Sequence, residues 1–292
     1  MADAPTLLRT EAEAEAARLP ALLARADHLA SSVLLGEHGR RRAGLGDDFW
    51  QYRQSHAGDS SRTIDWRRSA RSDEEFVRER EWQIAQSVML WTDRAASMRF
   101  SGDRNRPTKA DRARLIALSL GIVLIRSGER VGLTGGLLPP RRGEAQILRM
   151  AEFFSADEAQ DYAAPETRAM PQHSRAVFVS DFLTEFDTLE AALTRAADRG
   201  VRGVMLQVLD PVEEDFPFSG RTIFESMGQT LRHETLQAGE LRAAYLARLA
   251  ERKARIAELC ALTGWRHHCH HTDASAQSAL LWLWQALGEG VS

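Results

Sequence analysis

Cysteine is almost missing from this chain: Cys260 and Cys269 are the only two in 292 residues. So few thiols exclude a disulfide framework and a four-thiolate metal centre, and a reducing, cytoplasmic setting is expected. Long apolar runs are missing too. The longest near the C-terminus, Ala279–Trp284, is far short of the ~20 residues that span a bilayer. The opening MADAPTLLRTEAEAEAARL has no apolar core behind a positive start, so no signal peptide is expected. Neither sign of charge dominates, and a net charge of -3 offers no general attraction to nucleic acid or an anionic membrane.

Familiar catalytic signatures are also lacking. Ser61, Ser69 and Ser180 stand near acids, but no Gly-x-Ser-x-Gly elbow is present and no serine is tied by spacing to a His and an Asp. The glycine-rich Gly132-Leu133-Thr134-Gly135-Gly136 lacks the order of a phosphate-binding loop, and no HExxH occurs. The chain shows no internal repeat or low-complexity tract. These absences point away from an ATPase or a serine hydrolase.

What is present is a regular alternation of apolar runs and helical patterns. Within Gln83–Phe100 an apolar run stops abruptly at Asp93, and a second run, Arg175–Ser180, stops in the same way at Asp181. Gly203–Leu209 and Trp265–Thr272 read as further strands, and Arg130–Gly135 as a short one. Between them, Pro107-Thr108-x-x-Asp111 opens a helix with Ala113, Ile116, Ala117, Leu120 and Leu124 on one face. Helical spacing recurs over Gln146–Phe154, Phe186–Arg199, Gln237–Leu262 and a closing segment through Leu280, Leu283, Trp284 and Leu287. This order predicts an α/β fold with a mostly parallel sheet and helices on both faces. Both acids would then lie at the carboxyl ends of strands, where open α/β sheets place their ligand crevice.

Ahead of this domain, assigned to residues 83–292, an extension over residues 1–82 is expected. Thr10–Ala30 has helical composition with a capping box at Thr10 and Glu13, and Pro20 inside it. Gly36–Gly46 reads as an exposed basic loop, whereas Asp47–Arg80 interleaves Asp and Arg with aromatics such as Trp50, Tyr52 and Trp66. Acids throughout that second stretch would repel a phosphate backbone, so ion-paired packing is the preferred reading.

The residues GLGDDFWQYRQSHAGDSSRTIDWRRSAR, then FVRERE, then a strand ending in WTDRAASM, closely resemble domain-of-unknown-function family 58, a bacterial relative of von Willebrand factor A domains. The resemblance runs from about Val33 to the C-terminus, and Gly58-Asp59 with Ile64-Asp65-Trp66-Arg67 are its specific pieces. It implies a von Willebrand A-like, Rossmann-like sheet. It also implies a non-enzymatic protein-binding or assembly role beside a MoxR-type AAA+ ATPase and its client proteins. Two other readings stand beside this one: a nucleic-acid-binding module using the Arg40–Arg71 segment, and a metal-dependent hydrolase.

The metal-ion site that the resemblance implies combines an Asp-x-Ser-x-Ser turn, a Thr and a further Asp, which suits Mg²⁺. Here Asp93, Ser97 and Asp181 match, Ala95 removes one hydroxyl, and Arg94 adds a positive charge. The loop Leu137–Glu144, where the Thr is expected, offers no hydroxyl. Asp93, Arg94, Ser97 and Asp181 are therefore the candidate partner-binding residues, and the three oxygen donors a degenerate Mg²⁺ site. An arginine replacing the metal is an alternative. Asp210–Gly220, DPVEEDFPFSG, reads as a solvated acidic loop. Finally, His267-His268-Cys269-His270-His271 invites zinc. Strand alternation puts His267, Cys269 and His271 on one face, but such neighbours seldom converge on one ion, and an ordinary half-buried strand is expected.

Overall fold

The computed structural model describes residues 20–34, 49–54, 64, 66–70, 74, 76–80 and 86–288. The chain forms two compact units, one of Met1–Gly36 with Gln86–Ser292 and one of Glu37–Ala85. Within the stretch assigned to an extension, residues 20–34 and 49–80 thus fall in different units. The helix of residues 20–34 (α1) joins the larger unit, because its Ala26, Ala30 and Val33 enter that unit's core. The Thr10–Glu13 capping box lies outside the described residues.

In the smaller unit β1 (Phe49–Gln54) pairs antiparallel with β2 (Phe76–Arg80), and the short helix α2 (Trp66–Ser69) lies between them in sequence. Ser69 Oγ accepts a hydrogen bond from the Phe76 amide at 2.9 Å. The resemblance-bearing Ile64 and Trp66 fall at this helix and its approach, while Gly58, Asp59 and Asp65 lie outside the described residues.

The larger unit is built on six strands: β3 (Ser87–Thr92), β4 (Arg130–Leu133), β5 (Leu138–Arg141), β6 (Arg175–Ser180), β7 (Arg202–Leu209) and β10 (Arg266–His271). Their spatial order is β10-β7-β6-β3-β4-β5, all neighbours parallel except the β4–β5 pair. An outlying hairpin, β8 (Thr222–Glu225) with β9 (Arg232–Thr235), completes the strands. The α/β fold with a mostly parallel sheet is thus as the pattern predicts.

Side chains alternate along each strand and divide the core in two. Val88, Leu90, Val177, Val179, Val204, Leu206 and Val208 face one layer, formed by α1, α3 (Lys109–Arg126), α4 (Glu144–Ser155) and α8 (Ala276–Gly288). Met89, Ala176, Phe178 and Met205 face the other, formed by α5 (Phe186–Asp198) and α7 (Ala238–Thr263). Each fully buried Val, Leu or Phe of this kind contributes about 1.5–3 kcal/mol. Helix α3 is buried almost all round, from Ala113 to Ile125, because α4 and α8 flank it.

Two segments read as loops are ordered. Leu137–Glu144 contains β5, with Pro139 and Pro140 on the sheet's outer edge, where a missing N–H goes unnoticed. Gly132 permits this pairing: a Cβ there would stand 2.6 Å from the Leu138 carbonyl oxygen. The acidic segment after β7 folds into α6 (Pro211–Asp215), where Asp210 and Glu213 form a capping box with Pro211 at the first turn. The start of this segment is not a solvated loop, since Asp210 is fully buried, whereas Asp215, Pro217, Ser219 and Gly220 are exposed. Among the described residues no helix is long and apolar enough to cross a membrane.

Candidate functional site

The chain winds from β3 outward through β4 to β5, then crosses back to β6 on the other side of β3. The strand order therefore reverses between β3 and β6, and the crevice of such a sheet opens at their carboxyl ends. Asp93 and Asp181 follow those two strands directly. Thr92 pairs with Val179, and the Asp93 amide donates to the Val179 carbonyl at 2.9 Å, so both acids sit at one end of the sheet. The other parallel strands also end in polar groups, namely Thr134, Asp210 and Thr272, all buried.

Asp93 is only 1% exposed. Its Oδ1 accepts from the Ala95 amide at 2.8 Å and its Oδ2 from Ser180 Oγ at 2.7 Å. Burial, reinforced by the nearby Asp181 charge and opposed by those two hydrogen bonds, pushes its pKa up to about 7. Asp181 faces a different partner. Its Oδ1 accepts from the Leu183 amide at 3.0 Å, and its Oδ2 from Lys109 Nζ at 2.9 Å.

Lys109 is the residue that the sequence pattern did not single out. It is the first residue of α3, directly after the Thr108 cap, and is 1% exposed. Its ammonium also reaches Glu213 Oε1 at 2.7 Å and lies 5.7 Å from the Phe100 ring centroid. Burial works against the lysine charge, yet Asp181 and Glu213 outweigh it and raise the pKa above the usual lysine range. Burial raises Glu213 in turn, against the pull of Lys109. One signal was legible: a cation in a helix's first turn opposes the helix dipole, so it needs carboxylate partners elsewhere.

The network continues across the strand ends. Glu213 Oε2 accepts from the Asp210 amide at 2.8 Å, and Asp210 Oδ2 accepts from Thr272 Oγ1 at 3.0 Å. Arg106 approaches Asp210 Oδ1 at 3.6 Å. Gln207 Nε2 donates to the Asp181 carbonyl at 2.9 Å. Phe182, just beyond Asp181, has a φ of 52°, and Arg252 of α7 holds its carbonyl at 2.6 and 2.9 Å. A left-handed conformation at a bulky residue is strained, and here it is held by packing from a second element.

Arg94 turns away from the acids. Its guanidinium lies 3.8 Å over the Phe153 ring, donates to the Phe153 carbonyl at 3.2 Å, and pairs with Glu158. The segment containing Glu158 folds over the end of β3, where the Ala96 and Ser97 amides donate to the Gln160 and Asp161 carbonyls at 2.8 and 3.0 Å. Ser97 Oγ and Thr92 Oγ1 are buried without a hydrogen-bond partner among the described residues. Thr92 also lines a cavity of about 170 Å³, with Thr134, Arg94, Glu158 and neighbours.

These donors do not fit a Mg²⁺ ion. A hard cation needs about six oxygen ligands in octahedral array, whereas here a buried ammonium, Lys109 Nζ, already stands 2.9 Å from Asp181 Oδ2. No hydroxyl stands at position 95, and the loop expected to carry the Thr is strand β5. The charge of Asp181 and Glu213 is offset in part by one internal ammonium, a role for which an arginine was the expected candidate.

On the next edge, β10 alternates as expected. His267 Nε2 meets Gln207 Oε1 at 3.2 Å on one face, and His268 stacks on Trp282 at 4.8 Å on the other. Burial lowers His267 and His270 to a pKa of about 4, keeping both neutral.

Comparison with known proteins gives one family model, described as Protein of unknown function DUF58, which matches residues 51–255. No curated protein matches the chain. Among solved structures, the conserved hypothetical protein BatB from Bacteroides thetaiotaomicron is 14% identical, with a TM-score of 0.40 over 70% of this chain and 100% of that one. An aerotolerance-related membrane protein from Bacteroides fragilis NCTC 9343 is 14% identical, with a TM-score of 0.41 and the same coverages of 70% and 100%. An uncharacterized membrane spanning protein from Vibrio fischeri is 12% identical, with a TM-score of 0.19 over 71% and 98% of the two chains.

Proposed function

This chain belongs to the DUF58 family of proteins of unknown function, and from that premise we propose that it is a non-enzymatic protein-binding and assembly factor. Its larger unit serves as a von Willebrand A-like platform, and its partner is a MoxR-type AAA+ ATPase or a client delivered to one. The observation that carries this reading is the Lys109 network. At the position where an open α/β sheet ordinarily receives a ligand, Asp93 and Asp181 are buried, and Asp181 already pairs with a fixed ammonium. Such a site holds shape: the Ser180 hydroxyl that donates to Asp93 is itself fully buried.

Asp93, Ser97 and Asp181 are too deeply buried to touch a partner directly. They act by fixing the strand-end surface that the partner meets. That surface has apolar neighbours: Leu231 and Leu236 on and beside the β8–β9 hairpin are 63% and 73% exposed, and Ile223 and Met227 are exposed too. Asp161, from the segment that folds over β3, accepts hydrogen bonds from Ser226 Oγ and Thr230 Oγ1 and so ties this hairpin to the strand-end face.

The test is a pull-down of tagged protein against a MoxR-type AAA+ ATPase, with ATP, with ADP and without nucleotide. Retention of the ATPase, weakened by Leu231→Asp with Leu236→Asp, is the expected result. Absence of association under all three conditions, or salt-sensitive DNA binding lost on replacing Arg40, Arg41 and Arg42 by Ala, would overturn this reading.

A further inference from the structure

We propose that Glu214, Cys269 and His271 form a binding site for a single Zn²⁺-class cation, separate from the acids at the ends of β3 and β6. One ligand atom from each residue lies within 4.8 Å of the other two, and all three residues are half-buried and so open to an entering ion. His271 Nε2 already stands 2.6 Å from Glu214 Oε2. The Cys269 thiol is free and has no hydrogen-bond partner among the described residues.

The fold explains why these three meet. Cys269 and His271 are two apart on β10, so their side chains leave the same face of the sheet. His267 leaves that face too, but four residues of strand place it roughly 13 Å from His271, beyond one coordination sphere. Its ring is engaged with Gln207 instead. The third donor comes from α6, which the Asp210 capping box holds across the end of β7, next in the sheet to β10. No spacing rule in the sequence links position 214 to 269 and 271.

A thiolate, an imidazole and a carboxylate are the donor types that zinc selects, and three protein donors with a fourth position left over is the arrangement of its exchangeable sites. The ring and carboxylate are already oriented by each other. Lys253 also contacts Glu214, through Oε1, leaving Oε2 directed at the imidazole. Its ammonium competes with a metal for the carboxylate, so the site should favour a cation able to capture sulfur as well as oxygen.

The experiment is a titration of the full chain, freed of metal by chelation, with Co²⁺ and then Zn²⁺. One equivalent of Co²⁺ should produce tetrahedral ligand-field bands and a thiolate-to-cobalt charge-transfer band, and Zn²⁺ should displace it. Cys269→Ser should remove the charge-transfer band, whereas Cys260→Ala should retain it, because Cys260 is buried against Met205 Sδ at 3.4 Å. Glu214→Gln and His271→Ala should each weaken Co²⁺ binding at least tenfold, and Lys253→Met should strengthen it. Far-ultraviolet circular dichroism identifies variants that remain folded. Binding without a thiolate band, a band that survives Cys269→Ser, or unchanged affinity in folded Glu214→Gln and His271→Ala would overturn the proposal.

Discussion

Replacing Lys109 with methionine isolates the ammonium at the centre of the strand-end network. Methionine keeps the length and apolar stem but leaves Asp181 and Glu213 without the cation that both now face at 2.9 and 2.7 Å. At an effective dielectric of about 20, each contact represents roughly 6 kcal/mol of attraction before desolvation is subtracted. The net effect is smaller, because all three charges were withdrawn from water; breaking such a buried pair costs about 3–5 kcal/mol. In urea unfolding followed by near-ultraviolet circular dichroism, the midpoint should fall by roughly 1–2 M if the slope is about 2–3 kcal/mol per M. The loss should shrink as pH falls, since unpaired buried carboxyls are stabilised by protonation. A triple variant, Lys109→Met with Asp181→Asn and Glu213→Gln, should recover most of the stability, because it removes the stranded charges while Gln can still accept from the Asp210 amide. A Lys109→Met stability within ~1 kcal/mol of the parent, or a triple variant no better than the single, would refute an internal-cation role.

Asp93 supplies an independent pH test. Its folded pKa of about 7 lies above the ordinary 3.8, so the folded state holds the proton more tightly than the unfolded chain. Its contribution is therefore most favourable below about pH 4 and is lost as pH rises from about 4 to about 7, by an amount on the order of 4 kcal/mol. Asp93→Asn does not titrate, so its stability relative to the parent should climb across that window; parallel pH profiles for the two proteins would contradict the buried carboxyl. At Gly203 a Cβ would meet the Ala176 carbonyl oxygen at 2.2 Å. Gly203→Ala should force β6 and β7 apart and lower the thermal midpoint by several degrees, whereas Gly239→Ala, with open space around it, should leave the midpoint within about a degree or raise it. Thr272→Val removes the hydroxyl that Asp210 accepts from, and a loss of about 1–3 kcal/mol is expected in urea unfolding.

Much of the larger unit could be read in advance. The apolar runs ending at Asp93 and Asp181, the helix opening at Thr108, and the glycine stops after α3, α5 and α7 are local features: short strands, cap chemistry and left-handed C-caps each leave a mark within a few residues. Gly128, Gly200 and Gly264 all adopt positive φ as a helix end requires. The edge strand β5 was harder, since Pro139-Pro140 argues against a strand until its place on the sheet's rim is known. Asp210–Glu213 carried a capping-box signal that its acidic composition obscured, and the placement of α1 with the sheet unit depends on Ala26, Ala30 and Val33 finding the α3 layer.

The sequence by itself determined the α/β order, the family, and the two acids at the ends of neighbouring strands, because each follows from period, composition or a contiguous motif. Only the tertiary structure decided what meets those acids. Lys109 stands 72 residues from Asp181 and 104 from Glu213, and Glu214 stands 57 from His271. These groups are brought together by the crossovers that return each helix to the same end of the sheet. Charge pairing at such distances is set by topology, so the spacing of residues along the chain carries no record of it.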